Sequence, residues 1–203
     1  MRPSIGAVAA LAATVETINR CLPLIGPVDL AIVTGDVTDF GTPGEYARFR
    51  AIMSALAVPY RVVPGNHDYD AMWTDYNHPP KKEVRSIADV GMLHAGGLKN
   101  FKAVFSDKSD FFRGKDWYVA SHDDGADSAQ IFTAAGYRFL HIGLQFDAPN
   151  ASLEWAASVI KAHPGLPTII STHDYLDNDS QRLANPVIDN AAVDPQDNNP
   201  QMV

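Results

Sequence analysis

The 203-residue sequence is short of the features that mark several protein classes. It holds one cysteine, Cys21, so neither an internal disulfide framework nor a zinc site built on several thiolates is available. Cys21 reads as a buried helix residue, with no partner that suggests catalysis. Cations are few. Sixteen Lys and Arg against 24 Asp and Glu leave a net charge of −8, which argues against a protein that grips nucleic-acid phosphates through clustered positive charge. No uninterrupted apolar run approaches the roughly 18 residues of a membrane span. Gly-x-Gly-x-x-Gly and Gly-x-x-x-x-Gly-Lys loops are absent, which removes the nucleotide-binding α/β modules that depend on them.

What remains is globular composition, 46% hydrophobic and 20% charged, enough for a sizeable core in one domain. The N-terminus is the one candidate targeting segment, with Arg2 followed by apolar residues from Ile5 to Val15. However, Val8, Leu11, Val15 and Ile18 recur every three to four residues, and the pattern runs on through Glu16 and Arg20. That is an amphipathic helix. The compartment stays open.

Two strand–loop–helix patterns organise the first third. Leu30-Ala31-Ile32-Val33 is a short apolar run, as in a strand buried on both faces, and it ends in Thr34-Gly35-Asp36-Val37-Thr38-Asp39. Thr42-Pro43-Gly44-Glu45 then opens a helix: Thr caps, Pro takes the first position and Glu sits three residues on. Tyr46, Phe49, Ile52, Met53 and Leu56 form its apolar stripe. A second strand, Tyr60 to Val63, ends in Pro64-Gly65-Asn66-His67-Asp68.

Farther on, a strand over Tyr137 to Leu144, a helix over Ser152 to His163 and a strand over Thr168 to Ile170 lead to Ser171-Thr172-His173-Asp174. The alternation predicts an α/β fold with a mainly parallel sheet covered by helices. The region from Tyr69 to Tyr118 is less regular, with a cationic turn at His78 to Lys82, but its Phe101, Phe105, Phe111, Phe112, Trp117 and Tyr118 imply packing. Asn, Asp, Pro and Gln dominate after Asp177. The expected organisation is a domain over 1–176 and a loop or disordered tail over 177–203.

Three strand ends therefore carry polar clusters: Gly35-Asp36, Gly65-Asn66-His67-Asp68 and Thr172-His173. Ligands gather at the carboxyl ends of strands in open parallel sheets, so the clusters should converge. Carboxylate, amide and imidazole are oxygen and nitrogen donors, suited to Mn, Fe or Zn rather than to soft thiophilic ions. Elsewhere, His141 reads as a core histidine. His78, His94, His122 and His163 read as loop or helix-end residues, Asp123-Asp124 as a solvated turn and Lys81-Lys82 as a solvated patch.

Gly35-Asp36-x-x-Asp39, Gly65-Asn66-His67-Asp68 and the strand-end His173 resemble the calcineurin-like metallophosphoesterases, and the resemblance runs from Gly6 to His173. It implies an α/β fold, a β-sandwich flanked by helices, and hydrolysis of phosphate mono- or diesters at two divalent metals. Asp36 would bridge the metals. Asn66 and His173 would hold the second of them. His67 would be the catalytic histidine that contacts the phosphate, and Asp68 would hydrogen-bond it. Asp39 stays open between a supporting acceptor and a turn former, and Asp174 is not claimed as a ligand.

The family also has an early Asp-x-His and a late Gly-His-x-His. No Asp-x-His precedes Gly35 here and no histidine follows His173. The expectation is thus a fold lacking its first strand and C-terminal part, binding one metal or none, with weak or no turnover. Exposed sheet surface would favour self-association. The reading from another class is a non-catalytic binding scaffold on the same fold. Against it stands the presence of Asp36, Asn66, His67, Asp68 and His173 together.

Overall fold

The computed structural model describes residues 5–70, 93–94, 97–173 and 188–189. The N-terminal periodicity forms helix α1, Ile5–Ile25, with Val15 buried and Leu11 packed on the aromatic core. Over Val8–Ile25 it is long and apolar enough, by length and composition, to cross a membrane, although its apolar residues are interrupted in sequence. In this fold it lies on helix α2, Pro43–Met53. Asn19 pins it there: its amide donates to the Ala55 carbonyl at 2.7 Å and its side-chain oxygen accepts from the Ala57 N–H at 2.8 Å. We expect Asn19→Ala to lower stability by about 1–2 kcal/mol, read as a shift of the urea midpoint. An unchanged midpoint would show that the helix docks without these bonds.

Strand β1, Ala31–Val33, pairs in parallel with β2, Tyr60–Val62, and α2 is the crossover between them. The helix starts where its cap signals place it. The Glu45 carboxylate accepts from the Thr42 N–H at 3.0 Å and hydroxyl at 2.6 Å, and from the Asp39 N–H at 3.3 Å. One side chain thus fixes both the helix start and the end of the loop after β1.

Strand β3, Leu93–His94, pairs with β8, Ile188–Asp189, in a two-residue parallel ladder, so a short strand lies where loop is expected. A larger sheet runs β4 (Tyr118–His122), β5 (Asp127–Ala134), β6 (Tyr137–Gly143), β7 (Thr168–Ser171). Its β6–β7 pair is parallel and its β4–β5 and β5–β6 pairs are antiparallel. The sheet content is therefore mixed, where the sequence pattern predicts mostly parallel strands. The cause is the two-residue turn Ala135-Gly136, with φ of +49° and +82°, whose left-handed backbone matches the twist of a tight hairpin.

Two apolar clusters form among the described residues. In the first, Tyr46, Phe49, Phe101, Phe105, Phe111 and Phe112 pack beneath α2 and helix α3, Lys99–Phe105, with edge-to-face contacts such as Phe105 on Phe111 at 5.0 Å. Trp117 and Tyr118 pack against it, as core residues do. The second joins Leu140, Ile142 and Leu144 to Ala156 and Val159 of helix α4, Asn150–Ala162. Cys21 is half-buried. Asp123 and Asp124 form an exposed turn, ion-paired with Lys102 at 2.6 Å and Lys108 at 3.5 Å. His78, Lys81, Lys82 and Asp174, and most of 177–203, lie outside the described residues. On the outer side of β7 no strand neighbour is present among the described residues, and Ile169 and Ile170 are 40% and 53% exposed.

Candidate active site

The segments after β1, β2 and β7 meet at one rim, and their contact is close. A Cβ on Gly35 would stand 2.6 Å from His173 Nδ1 and 2.7 Å from the Gly65 nitrogen. With φ at +106°, Gly35 also has a conformation that disfavours any side chain. Asp36 itself has φ of +55°, rare outside glycine and Asn/Asp turns. Its carboxylate helps to hold this conformation, because Oδ1 accepts the His67 backbone N–H at 3.0 Å. Asn66 is half-buried at the start of the 3-10 turn Asn66–Asp68, between two residues whose backbones abut Asp36.

Both histidines are oriented by main-chain carbonyls. His173 Nδ1 lies 2.6 Å from the Thr34 oxygen, and His67 Nδ1 lies 3.0 Å from the Asp39 oxygen. A carbonyl only accepts, so in each neutral ring the proton sits on Nδ1 and the basic lone pair on Nε2. His173 Nε2 is 3.4 Å from Asp36 Oδ2. Burial works to raise the Asp36 pKa, but the His173 contact, the His67 N–H and the two imidazole charges outweigh it and hold the group below its ordinary 3.8. Asp36 is a carboxylate at neutral pH.

The Asp68 carboxylate is bonded to the loops after β1 and β2. It is fully buried, and its carboxylate accepts from the Gly65 N–H at 2.8 Å, the Val37 N–H at 3.3 Å and the Thr38 hydroxyl at 3.1 Å. The ring of His67 is oriented by the Asp39 carbonyl, while Asp68 ties the loop after β1 to the loop after β2. Burial dominates its titration and pushes its pKa up to about 6, against the pull of those donors. Sequence reasoning sees His67-Asp68 as neighbours and pairs them. The orienting groups it misses are backbone carbonyls, which carry no residue signature. Thr38, which bonds Asp68 and the His67 carbonyl at 2.9 Å, is also missed.

A cleft of about 300 Å³ opens beside Asp36, walled by Leu11, Val33, Phe49 and Ile52 and edged by Asp39 and Arg48. Asp36 Oδ2 and His173 Nε2 are two hard donors at a spacing of 3.4 Å, close to that of neighbouring ligands on one divalent ion at about 2.1 Å each. Among the described residues no group of three or more His, Cys, Asp and Glu is arranged to hold a metal ion.

An α/β fold with hard donors gathered at its strand ends places the chain among proteins that work at the carboxyl rim of a sheet. The sequence pattern of the calcineurin-like phosphoesterases matches residues 6–203, and the chain belongs to that family. It is similar to a probable glycerophosphodiester phosphodiesterase GpdQ of Arcobacter nitrofigilis, 55% identical over 40 residues, 20% of this chain and 15% of that protein. It is also similar to the 3′,5′-cyclic adenosine monophosphate phosphodiesterase CpdA of Pseudomonas aeruginosa, 42% identical over 59 residues, 29% of this chain and 21% of the relative. A 3′,5′-cyclic-nucleotide phosphodiesterase of Nostoc sp. matches over 146 residues at 25% identity, 72% of this chain and 41% of that protein. The chain thus spans less than half the length of each of these relatives.

Proposed function

We propose that the rim is the active site of a metal-dependent phosphoesterase acting on phosphodiesters, with one divalent ion held by Asp36, Asn66 and His173. The observation that carries this reading is the Asp36–His173 pair: a carboxylate oxygen and the basic face of a tautomer-fixed imidazole, 3.4 Å apart. The family and the phosphodiesterase names of its relatives support the substrate class. When bound, the ion would supply a Lewis acid that offsets charge building on phosphorus and lowers the pKa of a water.

The chain's own residues do the rest. Asp36 and His173 fix the position of positive charge at the rim. His67, with its Nδ1 proton engaged by Asp39, presents Nε2 as the atom that takes and gives a proton, and it donates to the leaving oxygen. Asp68 and Thr38 hold the two loops in register. With one carboxylate, one amide and one imidazole as donors, turnover is slow. Between copies, the exposed edge of β7 favours association.

Turnover of bis(p-nitrophenyl) phosphate and of p-nitrophenyl phosphate, with Mn²⁺ or Zn²⁺ and with EDTA, tests the proposal. We expect slow metal-dependent hydrolysis of the diester, reduced at least ~100-fold in Asp36→Asn and in His67→Ala. Absence of both stoichiometric metal and turnover would mark a binding scaffold, and hydrolysis unaffected by EDTA would overturn the metal's role.

A further inference from the structure

At the end of the strands away from the rim, the residues that begin β1, β2 and β4 and those of the β5–β6 hairpin frame a second cleft, of about 440 Å³. Arg61 lies in its wall, only 4% exposed. Its guanidinium carbon stands 3.5 Å from the Trp117 ring centroid, and Nη1 donates to the adjacent Tyr60 carbonyl at 2.8 Å. Its Nε is buried without a hydrogen-bond partner. Among the described residues no carboxylate pairs with it. Burial alone acts on its titration, lowering the pKa to about 10, so it keeps its charge at neutral pH.

A desolvated cation without a counter-ion is costly, and buried charges in proteins are ordinarily paired. The aromatic face of Trp117 offsets part of that cost. The rest of the cleft continues the theme: Arg138 and Thr133 are cross-strand partners on β6 and β5, and both line it. Phe132 gives it an apolar wall. Asp29 and Asp116 also line the cleft and, like Arg138 and Thr133, are exposed to water, where charges are screened; Arg61 alone among its charged groups is withdrawn from solvent.

We propose that this cleft is a second ligand site, taking an oxyanion (a phosphate or a carboxylate) between Arg61, Arg138 and Thr133. Planar forks of donors suit such groups, and the anion supplies the counter-charge that Arg61 lacks. The site is remote from Asp36 and does not depend on the reading of the rim.

Calorimetric titration of the full chain at low ionic strength in EDTA, with inorganic phosphate and with phenylphosphonate, tests it. Saturable binding is expected in wild type and in His67→Ala, with at least a tenfold loss in Arg138→Gln and in Arg61→Met. Tighter binding of phenylphosphonate would identify an anion carried on an apolar body, and equal binding a free ion; either supports the site. Circular dichroism checks that Arg61→Met folds, and if it does not, Arg138→Gln decides alone. No saturable binding, binding that survives the arginine substitutions, or binding abolished by His67→Ala overturns the proposal.

Discussion

Gly65→Ala is expected to abolish metal-dependent turnover and to cost at least ~2 kcal/mol of stability, read by diester hydrolysis and urea unfolding. Its backbone is not the reason, since φ is −98° and alanine accepts that. The reason is space. A methyl group there would fall on the Asp36 carboxylate, 2.6 Å from the Asp36 nitrogen and 3.0 Å from His173 Cε1. Asp36 cannot retreat without breaking its bond to the His67 N–H. The matched control is Gly44→Ala in the first turn of α2, where nothing lies within 4 Å of the added carbon. There helix propensity should leave stability unchanged or raise it by up to ~1 kcal/mol. Wild-type turnover in Gly65→Ala would show that the rim is looser than this packing requires.

The second large effect is on the pH dependence of stability. His141 is buried, with Nδ1 2.8 Å from Gln130 Oε1 and Nε2 3.0 Å from Ser171 Oγ. Burial first, and then the charge of Arg61, lower its pKa from 6.5 to about 4. The folded ring is therefore neutral where the unfolded one takes up a proton. Its contribution is complete above 6.5 and is lost as pH falls from there towards 4, by about 3 kcal/mol in all. His141→Gln, which keeps hydrogen-bonding groups at the site but cannot titrate, should gain about that much relative to wild type between pH 7 and pH 4. Comparing the two proteins matters, because Asp68 acts in the opposite sense. Its folded pKa of about 6 lies above the ordinary 3.8, so its contribution is largest in acid and fades as pH rises towards 6. Urea unfolding at pH 4, 5, 6 and 7 gives the difference directly. Parallel profiles would mean that His141 takes up a proton as readily in the fold as in the unfolded chain.

The parts of the fold that announce themselves in sequence obey local rules. Thr42-Pro43-x-Glu45 marks a helix start, and Leu30–Val33 a short strand ending in a glycine turn; both lie where those residues put them. Strand β5 stayed hidden because its buried residues, Asp127, Ser128, Ala129 and Gln130, are mostly polar and show no apolar alternation. They are buried by partners distant in sequence: Asp127 accepts from the Gln145 N–H at 2.9 Å and the Ser152 hydroxyl at 2.6 Å. The meeting of Asp36 with His173 was legible from strand ends alone. The role of Asp68 was not, since a buried carboxylate that accepts from two backbone N–H groups looks like any other aspartate in a one-dimensional string.

His173 reaches from the end of the four-stranded sheet to the carbonyl of Thr34, just past the end of the β1–β2 pair. Any ligand that engages Asp36 and His173 together therefore rivets two separate ladders. By mass action, a ligand at a hundred times its dissociation constant adds about 2.7 kcal/mol to the folded state. Saturation of the rim and resistance to proteolysis thereby become a single linked equilibrium, with the ligand's free concentration governing how long each molecule survives.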